Sequence, residues 1–151
     1  MERDIAQRLL KLERWQEGLN LPEMGDGQPV FLDEPYTNTT FDGDSFSTVG
    51  AHTKIENTSW STAIPSNAKA LAVVIQARDS GSAAASAWFS CYSTATATNP
   101  ALLLYLYGAP NDAVWAGAGL VPCTDGDIWY RCTATAADRL DVWLYVVGYW
   151  L

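Results

Sequence analysis

Histidine, cysteine and positive charge are all scarce in this chain of 151 residues, and each scarcity removes a class of function. The single histidine, His52, lies in GAHTKIENT among turn and edge residues, with no nucleophile motif beside it. It is expected to be an exposed or capping side chain, not a catalytic base. The three cysteines, with one histidine, do not have zinc-ligand spacing. In PCTDGDIWYRC, a two-residue turn at Asp125-Gly126 predicts a hairpin pairing Cys123 with Ile128 and Cys132 with Gly119, which holds the two sulfurs beyond disulfide reach. All three cysteines are therefore expected to be reduced and mostly buried.

Basic residues are few and unevenly placed. Residues 1–20 hold four basic and four acidic groups, so residues 21–151 carry the whole net charge of −8, with five basic groups against thirteen acidic. A body so acidic repels phosphate backbones and anionic lipid, and no nucleic-acid partner is expected. Long hydrophobic runs are missing too. Val142 to Val147 is far short of the ~20 residues of a spanning helix, so membrane insertion is not expected. Met1 is followed by alternating charges, with neither a basic n-region nor an apolar h-region. This predicts a product made in the cytosol, or exported by a route other than the general secretory one.

Motifs for chemistry are equally thin. GAGL at 117–120 lacks the lysine and the strand–helix context of a phosphate loop. Asp42-Gly43-Asp44 and Asp125-Gly126-Asp127 suit turns, because aspartate bonds its own backbone and glycine takes positive φ. FDGDSF offers too few oxygen ligands in register for a calcium loop, which leaves Asp42 and Asp44 as the only weak metal candidates. Asn38-Thr39-Thr40 and Asn57-Thr58-Ser59 match the glycosylation sequon, which means little without secretion. Neither catalytic residues nor cofactors are expected. A small hydrolase is the least favoured reading.

What the chain does contain is apolar and aromatic bulk. Apolar residues make up 48% and charged residues 17%, with seven Trp, seven Tyr and four Phe, a globular composition. The length fits one domain with a small appendage. In MERDIAQRLLKLERWQEGL, Ile5, Leu9, Leu12 and Leu19 recur at heptad steps with Gln16 as one polar layer. Asp4 and Gln7 are spaced as a capping box, and Gly18 then Pro22 make a stop. The reading is a short helix at residues 1–20, a Pro/Gly linker at 21–29 and a β domain at 30–151. The helix either lies on its own domain or, as favoured here, joins a short parallel bundle of identical chains. Burying its four seam side chains yields roughly 6–12 kcal/mol per chain, against about 4–15 kcal/mol for association, so the body must also touch its copies.

From Pro29 onward, short β-branched and aromatic runs are separated by turn signals at 79–82, 99–100, 108–112, 125–126 and 136–138. With one or two strands between Thr37 and Trp60, eight or nine strands are predicted. That rhythm describes an all-β antiparallel sandwich of jelly-roll type, or a barrel. Thr94, Thr96 and Thr98 alternate with alanine and are read as strand. Ala70 to Ile75, Leu102 to Leu106 and Val142 to Val147 are apolar on both faces, so the outer face of the sheet is covered either by loops or by another subunit. Trp60, Trp115, Trp129, Trp143 and Trp150, with Tyr107, would make a sugar-stacking platform if aligned on one face, although packing is the ordinary fate of most of them.

A charged RLLKLERW helix, a Pro/Gly linker and a β domain containing IPSNAKAL and ending in LDVWLYVVGYWL resemble, in organisation, small structural proteins of tailed bacteriophages. The resemblance is to tail-fibre heads and capsid decoration proteins. It implies a catalytically silent homotrimer located in the virion, with other virion proteins or a host-surface glycan as partners, and it carries over no site residue. The expectation is a self-associating structural protein whose seam is Ile5, Leu9, Leu12, Gln16 and Leu19. The alternatives are a subunit of an extracellular filament or tube, and a carbohydrate-binding β-sandwich module.

Overall fold

The computed structural model of the protein describes residues 27–80, 87–106, 110 and 112–151. Over these residues the chain is all-β, with eight strands in two antiparallel sheets of four. They are β1 (Pro29–Phe46), β2 (Val49–Ile55), β3 (Ala70–Asp79), β4 (Trp88–Tyr92), β5 (Leu102–Tyr105), β6 (Val114–Pro122), β7 (Ile128–Thr133) and β8 (Leu140–Trp150). The first sheet runs β1-β8-β3-β6 and the second β2-β7-β4-β5. Only β4 and β5 are neighbours both in sequence and within a sheet. Among the described residues, the helical content is a single 3-10 turn, Asn57–Ser59.

Alternation explains how the strands settle. In β3 every second residue from Leu71 to Asp79 is buried, and the residues between them are half-buried. β8 alternates likewise until Val147, where a bulge shifts the pairing from Val73↔Val146 to Ala72↔Gly148. One cluster of buried residues draws on both sheets: Leu71, Val73 and Ile75 from β3, Val142, Leu144 and Val146 from β8, and Phe89, Ile128 and Cys132 from β4 and β7. Each fully buried aliphatic of this kind contributes at most ~1.5–3 kcal/mol. Aromatic rings link the sheets. Phe41 of β1 meets Tyr130 of β7 edge-on at 5.0 Å, and Tyr130 stacks on Phe89 of β4 at 5.5 Å.

Several expectations are corrected. The Asp125-Gly126 turn forms, with positive φ at both residues and a Thr124↔Asp127 bridge, as a type I′ turn requires. The hairpin does not continue, because β6 pairs with β3 while β7 pairs with β2 and β4. Cys132 thus lies on β7 of the second sheet while Cys123 follows the end of β6 of the first, and Cys91, Cys123 and Cys132 are all free. The cause is local. Gly126 sits where a Cβ would be 2.9 Å from the Pro65 carbonyl oxygen. Just beyond it, Asp127 accepts hydrogen bonds from the Asn57 amide and the Lys54 ammonium, both at 2.7 Å. These contacts pin the chain to β2 as it leaves the turn.

Residues 93–98, read as strand from their Thr/Ala alternation, form bends and turns instead. The predicted PVFLD strand is the start of a single 18-residue β1, whose register shifts three times against β8. The helix expected at 1–20, its seam residues Ile5, Leu9, Leu12, Gln16 and Leu19, and the linker as far as residue 26 lie outside the described residues.

Candidate functional site

Strand register places the outward side chains of the first sheet in rows. One row is Pro29, Trp150, Ala70 and Pro122; the next is Phe31, Gly148, Ala72 and Leu120. Thr37, Tyr145, Val74 and Ala118 follow, and then Asp42, Trp143, Gln76 and Ala116. These four rows hold one charged side chain, Asp42. Phe31 is 75% exposed, Leu120 53% and Val114 57%, so the face is both apolar and open. Arg78 at its border is committed to Asp141, donating from Nε at 2.9 Å, and lies 5.9 Å from the Trp143 ring centroid. The Asp141 carboxylate holds the Arg78 guanidinium above its ordinary pKa.

The expectation that some strands are greasy on both sides therefore has a specific location. Ala70–Val74 and Trp143–Tyr145 turn their second apolar side onto this face. Edge strand β6 continues it, without a charged residue from Val114 to Pro122. In the middle of its inner side β6 has glycine, at 117 and 119, where β5 approaches closely. A Cβ on Gly119 would lie 3.1 Å from a methyl group of Leu102.

The outer face of the second sheet is chemically different. Its rows are Lys54, Trp129 and Tyr92; Arg131, Ser90 and Leu103; and Thr133, Trp88 and Tyr105. Two cations lie over aromatic rings, Lys54 at 6.0 Å from Trp129 and Arg131 at 5.9 Å from Trp88. These rows contain no acidic side chain. Lys54 is neutralised by Asp127, whose hydrogen bond raises its pKa. Arg131 is not neutralised: it is half-buried and makes no ion pair among the described residues, and its Nε is buried without a hydrogen-bond partner.

The other sequence candidates are scattered. His52 is neither exposed nor capping; it packs edge-on against Tyr92 at 4.3 Å, with Nε2 buried and unpartnered. Asp42 and Asp44 are exposed on either side of Gly43, and no group of three or more His, Cys, Asp or Glu is gathered among the described residues. The Asn38 side chain accepts from the Thr40 amide, and Asn57 Nδ2 donates to the Ile64 carbonyl, so both sequon asparagines serve the fold. The proposed tryptophan platform does not assemble. Trp60 is buried, Trp143 and Trp150 face outward on the first sheet, Trp129 faces outward on the second, and Trp115 lies opposite Ala77 on β6. Tyr107 is outside the described residues.

Residues that sequence reasoning missed are Phe31, Val114 and Leu120 on the first face, and Trp88, Tyr105 and Arg131 on the second. Period-two alternation within β5 and β7 was the available signal, since it separates Leu103 and Tyr105 from Leu104, and Arg131 from Tyr130 and Cys132. No family model matches the chain, and no curated protein matches it.

Proposed function

We propose that this protein is a non-enzymatic, self-associating structural component, a homotrimer of the kind built into tailed-bacteriophage virions. The observation that carries the reading is the apolar outer face of β1-β8-β3-β6, with one charged residue in four rows. Four strands about 4.8 Å apart and about 26 Å long give a face of roughly 500 Å², at the upper end of what monomers expose. That is less than the roughly 800 Å² per partner of a stable interface, so a further contact must contribute. The chain supplies a candidate. The Gly27 amide donates to the Leu151 carbonyl at 2.6 Å, so the described chain begins beside Trp150, at the margin of the face. An amphipathic helix there, with Ile5, Leu9, Leu12 and Leu19 as its seam, would extend the contact across the symmetry axis.

The fold reading is finer than two sheets: the strand orders β1-β8-β3-β6 and β2-β7-β4-β5 fit a jelly-roll sandwich made of two Greek keys. In a closed three-fold ring each contact is heterologous, so the face of one copy meets a different surface of the next. The uncharged β6 edge suits that role. Light scattering on the full chain after size-exclusion chromatography tests the proposal. The expected result is one mass, three times that of the chain, held over a range of concentrations. A monomer at high concentration overturns it, and a mass that grows with concentration favours an open filament.

A further inference from the structure

The second sheet carries a feature that self-association leaves unexplained. Arg131 is a half-buried guanidinium in a protein of net charge −8, yet no carboxylate of the described chain neutralises it, and its Nε has no partner. It is held over the Trp88 ring. Its row neighbours are Ser90, wholly buried, and Leu103. Across the next row Trp88 faces Tyr105, which is 50% exposed, and Thr133. The site is thus a pair of aromatic side chains on neighbouring strands, Trp88 and Tyr105, with an unneutralised cation over the first. The Thr133 hydroxyl lies on the same row.

Each element selects a property of the ligand. A guanidinium fork recognises planar anions such as carboxylates, and its strength depends on the charge being otherwise unmet. The exposed Tyr105 ring, with the half-buried Trp88 ring beside it in the row, offers an apolar face that accepts the C–H face of a sugar ring while its polar edge stays wet. A peptide strand would instead pair with the backbone of a sheet edge, whereas Arg131 and Trp88 stand on the face of the two inner strands, β7 and β4, and only Tyr105 is on edge strand β5. Among the described cations, Lys54 and Arg78 are paired with carboxylates, whereas Arg131 is unpaired and stands among aromatic side chains, which favours it as the contact of an acidic ligand.

We propose that the outer face of the second sheet binds an acidic saccharide, with the sugar ring on Tyr105 and Trp88 and its carboxylate on Arg131. This site lies on the opposite side of the core from the self-association face and does not depend on it. Titration of the full-length protein with sialyllactose, digalacturonate and lactose, followed by tryptophan fluorescence, tests it. Saturable quenching is expected with at least one acidic sugar and not with lactose, and it should weaken as salt is added. Arg131→Gln should weaken binding by about tenfold or more, and Arg131→Lys should weaken it less. Tyr105→Ala, a substitution at an exposed position, should weaken binding with little change in thermal midpoint, and it keeps the test open if the arginine variants fold poorly. The proposal is overturned by an absence of response to both acidic sugars, by equal response to lactose, or by Arg131→Gln and Tyr105→Ala variants that bind like the parent. Tighter binding of poly-glutamate than of either sugar also overturns it, and would mark the site as a dock for acidic peptide.

Discussion

Gly43 shows how one residue holds the outer layer of the first sheet in place. Its φ is +108°, and a Cβ built there would lie 2.9 Å from the Trp143 indole. Gly43→Ala is therefore strained twice, by backbone conformation and by contact, and is expected to cost about 1–3 kcal/mol. Urea unfolding should show a lower midpoint with an unchanged slope; a shift below about 0.5 kcal/mol would mean that the ring moves aside freely. The ionisable residues predict a direction as well. Burial pushes the Cys91 thiol up to about 12 and the Cys123 thiol up to about 11, and raises Cys132 and Tyr130 too. Below the ordinary thiol value of 9.0 both folded and unfolded chains keep these protons, and stability is level. As pH climbs from there toward about 12, the unfolded chain releases protons that the folded chain retains, so stability falls. Denaturation midpoints measured across that window should decline, and less steeply in Cys91→Ala. A level profile would mean that the thiols are not held in their neutral form.

At the scale of elements, β6 is the informative strand. Two of its inner positions, Gly117 and Gly119, are glycine, which lets Leu104 and Leu102 of β5 approach, and its outer side presents Ala116, Ala118 and Leu120 in line with β3. Leu120→Lys removes no core contact and is expected to leave monomer stability within about 0.5 kcal/mol. The same change sets a charge in the middle of the apolar face, and should shift the light-scattering mass toward monomer. If the Leu120→Lys variant stays oligomeric, the outer face is not the contact. Much of this strand layout was legible in the sequence. The runs at 69–79, 113–123 and 139–150 fall on β3, β6 and β8, because short apolar runs bounded by turn residues have the length of strands and not of helices. Sheet assignment was not legible. Asp125-Gly126 has hairpin chemistry and makes the hairpin turn, but contacts distant in sequence, from Asn57, Ile64 and Pro65, decide that β7 departs for the other sheet. The same limit hid both outer faces. That Val74, Tyr145 and Ala118 share a row follows from register across three strands, which no single segment encodes. Residues 93–98 misled for a related reason: alternation without large side chains has nothing to bury, and the segment turns instead.

The whole molecule sets an apolar face against a strongly acidic body. Copies that meet through the first sheet bring together domains that each carry an excess of eight carboxylates over cations within residues 21–151. Their repulsion opposes assembly at low ionic strength, while burial of the face favours it at any salt concentration. Near 0.01 M the screening length is about 30 Å, comparable to the domain itself; near 1 M it is about 3 Å, and the bodies no longer sense each other. Association driven by apolar burial against net charge must therefore tighten as salt is added. Association driven by charge pairing, for instance among the mixed charges of residues 1–20, must loosen instead. Sedimentation velocity of the full-length protein over a series of sodium chloride concentrations separates the two. The expected outcome is a rising oligomer fraction with salt, and a sedimentation coefficient that stops increasing once a closed ring is complete. Dissociation on adding salt would transfer the work of assembly from the sheet face to the charged leading segment. A coefficient that keeps rising would mean that the heterologous contact between face and edge does not close.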